Sequence, residues 1–417
     1  MLDIFRNAWK IKDLRNKILY TLMMLLIYRI CSNIPVPNVD ASVFSQAMSQ
    51  GVFAMLDTFN GGTLANFTLM ATGITPYITA SIVMQLLTIA IPSLERLQKQ
   101  GEDGRKKINQ ITRYVGVGMA FAQSLAIMIT ARGGLVNDAW YMYLIIALLH
   151  AGATAFAMWM GERITEKGIG NGISLLIFIN IISRIPSQMW FGLKTIIDNG
   201  GAGWWMIPAL AAAVVVLIAA IVFIDLGERR IPVQYAKRVV GRKMYGGQST
   251  YIPMRVNNSG VLPLIFAMTF VQFPNLILSF FNGKFAQWYL NVMKIGTLPY
   301  GIITALLIFA FTYFYSTIAF NPQDVANNVQ QYGGFVPGIR PGKPTAQYLS
   351  RVGNRITLFA ALFYALLAVI PQVVLAATGS GVPLQATSIL IMVSVALETS
   401  KQLESQMLMR HYKGFLN

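Results

Sequence analysis

Long apolar stretches divided by charged connections recur along the whole chain, at about 18–35, 73–93, 112–131, 139–160, 171–188, 205–226, 259–281, 298–320, 356–376 and 383–404. Each is close to the ~20 residues an α-helix needs to cross a hydrocarbon core, so the pattern predicts ten membrane-spanning helices. Residues 356–397 carry no charged side chain over 42 positions. As one helix this run would be about 63 Å long at ~1.5 Å per residue, twice the bilayer core. The interruption Ala377-Thr-Gly-Ser-Gly-Val-Pro383 therefore splits it into a hairpin with a short outer turn, Gly and Pro being the strongest local breakers.

Charge fixes the orientation of these helices. Of 33 Lys and Arg, 27 fall in alternate connections: 1–17, 94–113, 161–170, 227–258, 321–355 and the inner end of the last span with the tail. The opposite side holds six, namely Arg29, Arg132, Arg184, Lys194, Lys284 and Lys294. Lys and Arg accumulate on the cytoplasmic side of membrane proteins, so both termini are expected inside. A hydrophobic share of 55% against 12% charged residues excludes a soluble domain of this length. A net charge of +17 would suggest nucleic acid in a soluble protein. Here topology and anionic lipid at the inner surface account for much of it, although some inner loops are longer and more basic than orientation requires. The single Cys31 excludes an internal disulfide. The first 17 residues are charged and amphipathic and run into a full span, so no cleavable signal peptide is expected.

Ten spans divide into five and five at the Gly-rich outer connection 189–204, and odd-numbered halves must have opposite orientations. Any internal repeat is therefore an inverted one, an arrangement that frames a central pathway in many transporters. The segment 57–70 is partly apolar but too short and polar to cross. It is either an outer surface loop or a re-entrant half-helix, which survives at membrane depth only when protein or a water-filled cavity surrounds it. The connections 227–258 and 321–355 are the largest soluble parts, with strand-like runs bracketed by Gly and Pro.

No enzyme signature is present. His150 lies mid-span and His411 in the tail, without a zinc pattern or phosphate loop. The Gly-Ile-Gly-Asn-Gly run at 168–172 reads as a tight turn in which Asn171 caps the next helix; His150 reads as a hydrogen-bonding partner of a neighbouring span, with a proton relay as the alternative. Intramembrane charge marks ion coupling, yet Asp225, Glu228, Glu398 and Arg29 all lie near span ends and form no mid-membrane acidic pair. This argues against a proton- or sodium-coupled carrier. Thr75, Thr79, Ser81 and Gln85 in the second span, and Asn257, Thr269 and Gln272 around the seventh, are polar positions in apolar helices. They are either interhelical glue or the lining of a pathway or of a seam that opens.

Several motifs resemble the SecY family, the central subunits of bacterial protein-translocation channels: Thr75 to Leu87, Glu162-Arg-Ile-Thr-Glu-Lys-Gly-Ile-Gly-Asn-Gly-Ile-Ser174, Gln234-Tyr-Ala-Lys-Arg238, Gly247-Gln-Ser-Thr250, Phe320-Asn-Pro322 and Phe335-Val-Pro-Gly-Ile-Arg-Pro-Gly342. The resemblance covers the whole chain. It implies an all-α polytopic membrane protein of ten transmembrane helices, in two inverted five-helix halves forming a clamshell around an hourglass pore. The halves are 1–188 and 205–417, hinged at 189–204. It further implies a pore ring of Ile74, Ile78, Ile173, Ile177, Ile265 and Ile391, all isoleucine here, of which 74/78 and 173/177 are i, i+4 pairs on one helical face. A plug is implied at 57–70, carried by Asp57, Phe59, Asn60, Gly61, Gly62, Leu64 and Phe67, and a lateral gate including Thr79, Gln85, Asn257 and Thr269. Loops 227–258 and 321–355 become docking sites for the SecA ATPase and the ribosome, through Arg238, Arg242, Lys243 and Arg340; ribosomal RNA is touched only through a docked ribosome. Where the family pattern has a second arginine after Gly241 this chain has Lys243, which keeps charge but lacks the planar fork, so no bidentate role is expected there.

The implied function is a passive protein-conducting channel of the bacterial cytoplasmic membrane, without catalytic centre, cofactor or metal. It would move unfolded preproteins outward and release signal sequences and membrane segments sideways into lipid. The implied partners are SecE, SecG, SecA and the ribosome, with energy from SecA and ATP, translation and the proton-motive force. The alternative is a secondary transporter with inverted repeats. The topology is testable directly. Single cysteines placed in 227–258 or 321–355 on a Cys31→Ser background should resist an impermeant thiol reagent in intact cells and react after permeabilisation; labelling from outside would overturn the assignment.

Overall fold

The computed structural model describes residues 2–48, 57, 60–130, 134–136, 139–198, 206–235, 238–240, 243–245, 249–257, 262–278, 283–293, 297–378 and 386–413. The amino-terminal half runs through α1 (Leu2–Lys10), α2 (Lys12–Cys31), α3 (Ala41–Met48), α4 (Thr75–Ala90), α5 (Pro92–Lys99), α6 (Glu102–Thr130), α7 (Trp140–Lys167) and α8 (Gly172–Asp198). The carboxy-terminal half comprises α9 (Met206–Leu226), strands β1 (Glu228–Tyr235), β2 (Arg238–Val240), β3 (Lys243–Tyr245) and β4 (Ser249–Arg255), then α10 (Leu262–Leu278), α11 (Lys284–Val292), α12 (Leu298–Ala319), α13 (Pro322–Gln331), β5 (Gly334–Phe335), α14 (Lys343–Thr378) and α15 (Ala386–Lys413).

Each of the ten expected apolar stretches has most of its described residues on one helix, in order α2, α4, α6–α10, α12, α14 and α15. Among the described residues four helices are long and apolar enough on their own to cross a membrane, and α4 with α5 makes a fifth that bends by 99°. The bend has a local cause: Ile91 is extended and Pro92 opens α5 at a position where the missing N–H is not needed. Asn171 caps α8 as the sequence predicts, its Oδ1 accepting from Ile173 N at 3.1 Å and Ser174 N at 3.4 Å. Several helices overrun the expected limits. α6 starts at Glu102, α8 continues to Asp198, well past 188 and through much of the expected hinge, α14 starts at Lys343 and α15 continues to Lys413. Hydropathy marks the apolar part of a helix, whereas backbone hydrogen bonding continues into its polar margins.

The halves repeat one packing order. α4 packs on α6, α6 on α7, α7 on α8 and α2 on α8; in the second half α10 packs on α12, α12 on α14, α14 on α15 and α9 on α15. Each half buries its own apolar core, one around Tyr28, Met160, Ile164 and Leu176, the other around Ile308, Ala361, Tyr364 and Leu390. They meet where α8 touches α15 and α9, and where α4 touches α10.

The two long connections 227–258 and 321–355, separate in sequence, contribute to one small sheet of order β4-β1-β5. β1 pairs antiparallel with β4 from Glu228↔Arg255 to Gln234↔Ser249, and with β5 at Gln234↔Phe335. Ile231 and Val233 alternate inward from β1 and pack with Met254, Ala326, Val336 and Leu349, a core drawn from both loops. β2 and β3 form a separate hairpin with Arg238 opposite Tyr245.

Candidate functional site

All six isoleucines named for the ring gather at one place. Ile74, Ile177 and Ile391 are buried members of a single apolar cluster, and Ile78, Ile173 and Ile265 pack against it. They come from α4 and the residue before it, α8, α10 and α15, so both halves contribute. On one side of this cluster lies a cavity of about 390 Å³, bordered by Ile177, Ile265 and Ile391. Its walls are polar, with Asn171, Ser174, Arg255, Asn257, Glu398 and Lys401 among them. Asp225 also borders it, accepting from Asn257 Nδ2 at 2.5 Å and from Ser394 Oγ, which ties the end of α9 to α15.

On the other side of the ring lies the 57–70 segment, in which Asp57 is helical and residues 60–73 are a succession of tight turns. Gly61 and Gly62 take φ of +71° and +88°, a left-handed conformation that glycine adopts without strain. Phe67 adopts φ +42°, costly for a bulky residue. It is held by Phe44 at a ring distance of 4.0 Å and by an edge contact to His150 at 5.0 Å. His150 is buried, with Nδ1 accepting from Ser124 Oγ at 2.7 Å and Nε2 donating to Thr68 O at 3.3 Å. The tautomer follows because a carbonyl oxygen can only accept. Asn60 joins the segment to α4, accepting from Thr75 Oγ1 at 2.6 Å and donating to Ala71 O at 3.2 Å. Asp57 is buried, accepts from the amides of Leu64 and Ala65 and pairs with Arg184 on α8. Leu64 is buried in the cluster below α3; Phe59 lies outside the described residues.

Of the four residues named for a lateral gate, Gln85 is at a seam between the halves. Its Oε1 accepts from Tyr315 OH of α12 at 2.8 Å. Around this bond Ile82 of α4 packs with Phe266 of α10 and Tyr315, the two rings stacking at 4.6 Å. Thr79 and Thr269 are satisfied by their own helices, bonding Thr75 O and Ile265 O. Asn257 stands apart, at the cavity with Asp225. Sequence reasoning missed Tyr315, Phe266 and the pairing of Arg184 with Asp57. The polar residues among these carried a signal, a lone hydroxyl or guanidinium in an apolar span, whereas Phe266 carried none.

Arg340 is exposed in a turn between Gly338 and Gly342, both at positive φ, with its carbonyl accepting from Thr345 Oγ1 at 2.8 Å. Arg238 and Lys243 lie on the β2–β3 hairpin; Arg242 lies outside the described residues. On the sheet face, Arg230 is bonded to Glu228 at 2.7 Å and lies 4.9 Å above the ring of Tyr251. The Glu228 bond, then Tyr251, hold its guanidinium above its ordinary range and firmly charged.

Two helical halves enclosing an apolar constriction, with a polar cavity on one side and a folded stopper on the other, define a multi-pass membrane protein of the channel class. A family model for SecY matches residues 68–400. Protein translocase subunit SecY of Streptomyces scabiei is 44% identical over 439 residues, with all of both chains covered. The chain belongs to the SecY family. Its fold is similar to a solved protein-conducting channel, with a TM-score of 0.64, 18% identity and coverage of 93% of this chain and 91% of that one. It is also similar to Sec61 in the canine ribosome–channel complex from the endoplasmic reticulum, with a TM-score of 0.59, 16% identity and the same coverage.

The stopper's glycines are not equivalent. A Cβ on Gly61 would lie 2.8 Å from the backbone oxygen of Asn180 on α8, whereas one on Gly62 first meets the flexible tip of Arg184 at 3.4 Å. Both alanine variants incur left-handed strain of about 1–2 kcal/mol. Only Gly61→Ala should also push the segment off α8, so it should raise amide exchange across 60–70 well beyond Gly62→Ala. Equal exchange in the two would show that the contact with Asn180 does not hold the segment.

Proposed function

We propose that this chain is the protein-conducting subunit of a Sec translocase, passing unfolded chains between its two halves and releasing apolar segments through the seam of α4 against α10 and α12. The observation that carries this reading is the meeting of six isoleucines from both halves, between a polar inner cavity and an outer stopper. A ring of branched aliphatic side chains seals by excluding water, makes no directional bond and yields around any passing side chain. Ions are held back because shedding their hydration in such a ring has no compensating partner. The 57–70 segment is the plug. The seam suits lateral release because one Gln85–Tyr315 bond and a few ring contacts hold it, each worth about 1 kcal/mol.

The protein lies in the bacterial cytoplasmic membrane with both termini inside. SecE clamps the halves, SecG is the third subunit, and SecA or the ribosome docks on the sheet formed by the cytoplasmic loops. The ribosome complex of the similar Sec61 channel supports the last point. No step here is chemical; the energy comes from the partners.

The ring reading is tested by Ile78→Ser with Ile391→Ser. Hydroxyls would wet the constriction, so resting ion conductance should rise at near-normal protein levels. Unchanged conductance, with rises instead from isoleucines outside the ring, would sink the assignment. The docking reading is tested by Arg340→Glu. The exposed guanidinium offers a fixed fork of donors to a carboxylate or phosphate, and removing it touches no core. Insertion and thermal stability should hold, while SecA-driven uptake of a precursor into vesicles falls severely; uptake within about twofold of wild type would make the residue a bystander.

A further inference from the structure

Between positions 41 and 94 the only ionisable acid or base is Asp57, apart from the phenol of Tyr77. Its buried carboxylate divides two tasks. Oδ1 accepts from Leu64 N at 3.0 Å and Ala65 N at 2.9 Å, organising the turns of the plug. Oδ2 pairs with Arg184 Nη1, which also donates to Asp57 O at 3.3 Å. The partners are unequal: the Asp57 side chain is 1% exposed and that of Arg184 26%. They also belong to different bodies. Arg184 is fixed on α8, seven residues beyond Ile177 and so about 10 Å outward of the ring at ~1.5 Å per residue. Asp57 belongs to the segment that has to move.

We propose that Asp57–Arg184 is the latch of the closed plug and that Asp57 makes plug release respond to the membrane potential. This rests on the reading of 57–70 as the plug. The segment is bonded to the outer loops, through Leu69 N to Ile34 O at 2.8 Å and Val36 N to Phe67 O at 3.3 Å. Clearing the pore therefore carries it outward, away from the ring beneath. Asp57 leaves with it and Arg184 stays. With the cytoplasm negative, an anion moving outward lowers its electrical energy, so the resting potential favours release while the ion pair opposes it. A unit charge crossing about a quarter of the field changes the open-to-closed ratio roughly threefold per 100 mV.

The inequality of the partners separates sensor from latch. In Asp57→Asn the remaining Oδ1 keeps both amide bonds, so the turns survive while the charge is lost. In Arg184→Gln the charge survives but is buried without its partner, a worse outcome than leaving a part-exposed arginine unpaired. Resting conductance is recorded across voltage in planar bilayers holding the purified chain with the membrane subunits that co-purify with it. Wild type should open more often with the cytoplasmic side negative. Asp57→Asn should leak about threefold or more above wild type and lose the voltage dependence. Arg184→Gln should leak more still and keep it. A merely structural ion pair predicts the same behaviour from both. The proposal falls if Asp57→Asn retains the wild-type voltage slope, if wild type shows no slope, or if both variants stay within twofold of wild-type conductance. Deletion of 59–68 in the same bilayers separates the two readings. A leak there beside an unaltered slope in Asp57→Asn removes the latch alone, and no leak on deletion removes the plug and the latch together.

Discussion

The constraint on which this structure depends is non-helical backbone enclosed among apolar helices. Apolar surroundings offer no hydrogen bonds, so residues 60–73 can be buried there only if other parts of the protein satisfy their polar groups. Much of the amino-terminal half does this. Gly62 N bonds Asp57 O, Thr68 N bonds Thr63 O and Leu69 N bonds Ile34 O. Ala71 O accepts from Asn60, Gly73 O from Thr154 and Thr68 O from His150. The amides of Leu64 and Ala65 bond the Asp57 carboxylate. Buried polar residues that look anomalous in apolar spans, His150 and Thr154 above all, thus supply what the turns lack. They are worth more as a set than singly, since each carbonyl left unpaired would cost about 1–3 kcal/mol.

The ring imposes the opposite chemistry. Where the 57–70 segment is held by directional bonds, the cluster containing the six isoleucines is joined by aliphatic contacts that have no preferred partner. The two halves share this cluster without an ion pair across it among the described residues. Opening therefore exposes apolar surface and breaks no strong bond, and a passing side chain can replace the lost contacts. The directional bonds near the pathway sit at its margins: Gln85–Tyr315 at the seam, Asp57–Arg184 outside the ring, and Asp225 with Asn257 and Ser394 inside it. On the proposed reading, specific interactions define the closed state, and the unspecific ones let varied chains through.

Hydropathy and the Lys and Arg asymmetry made the helices legible, because a bilayer imposes one length and one polarity on every span. The six ring isoleucines were not legible from periodicity, since isoleucine occupies many other faces in these spans; only family resemblance singled them out. The shape of 57–70 escaped because its turns are dictated by partners distant in sequence, such as His150, Thr154 and Arg184, and not by its own composition. Asn257 illustrates the same limit. It was grouped with Thr79 and Gln85 as a lateral-gate position, and only tertiary packing shows that its amide bonds Asp225. The joining of the two long connections was hidden for the same reason: β5 is two residues long, too short to announce itself as a strand.

That short strand has a mechanical consequence. Pairing of Gln234 with Phe335 binds the loop carrying Arg340 to β1, and the β1–β4 ladder carries on from there to Glu228 and Arg255. One further bond, Val256 N to Gly227 O at 2.9 Å, extends the ladder to the end of α9. The next residue, Asn257, holds Asp225 in the last turn of α9, and Asp225 holds Ser394 of α15, three residues from Ile391. A continuous chain of hydrogen bonds therefore runs from the exposed sheet to the helix that bears Ile391. A load on the Arg340 turn has a short, stiff route to the inner cavity, because a hydrogen-bonded ladder transmits displacement where a flexible loop would absorb it.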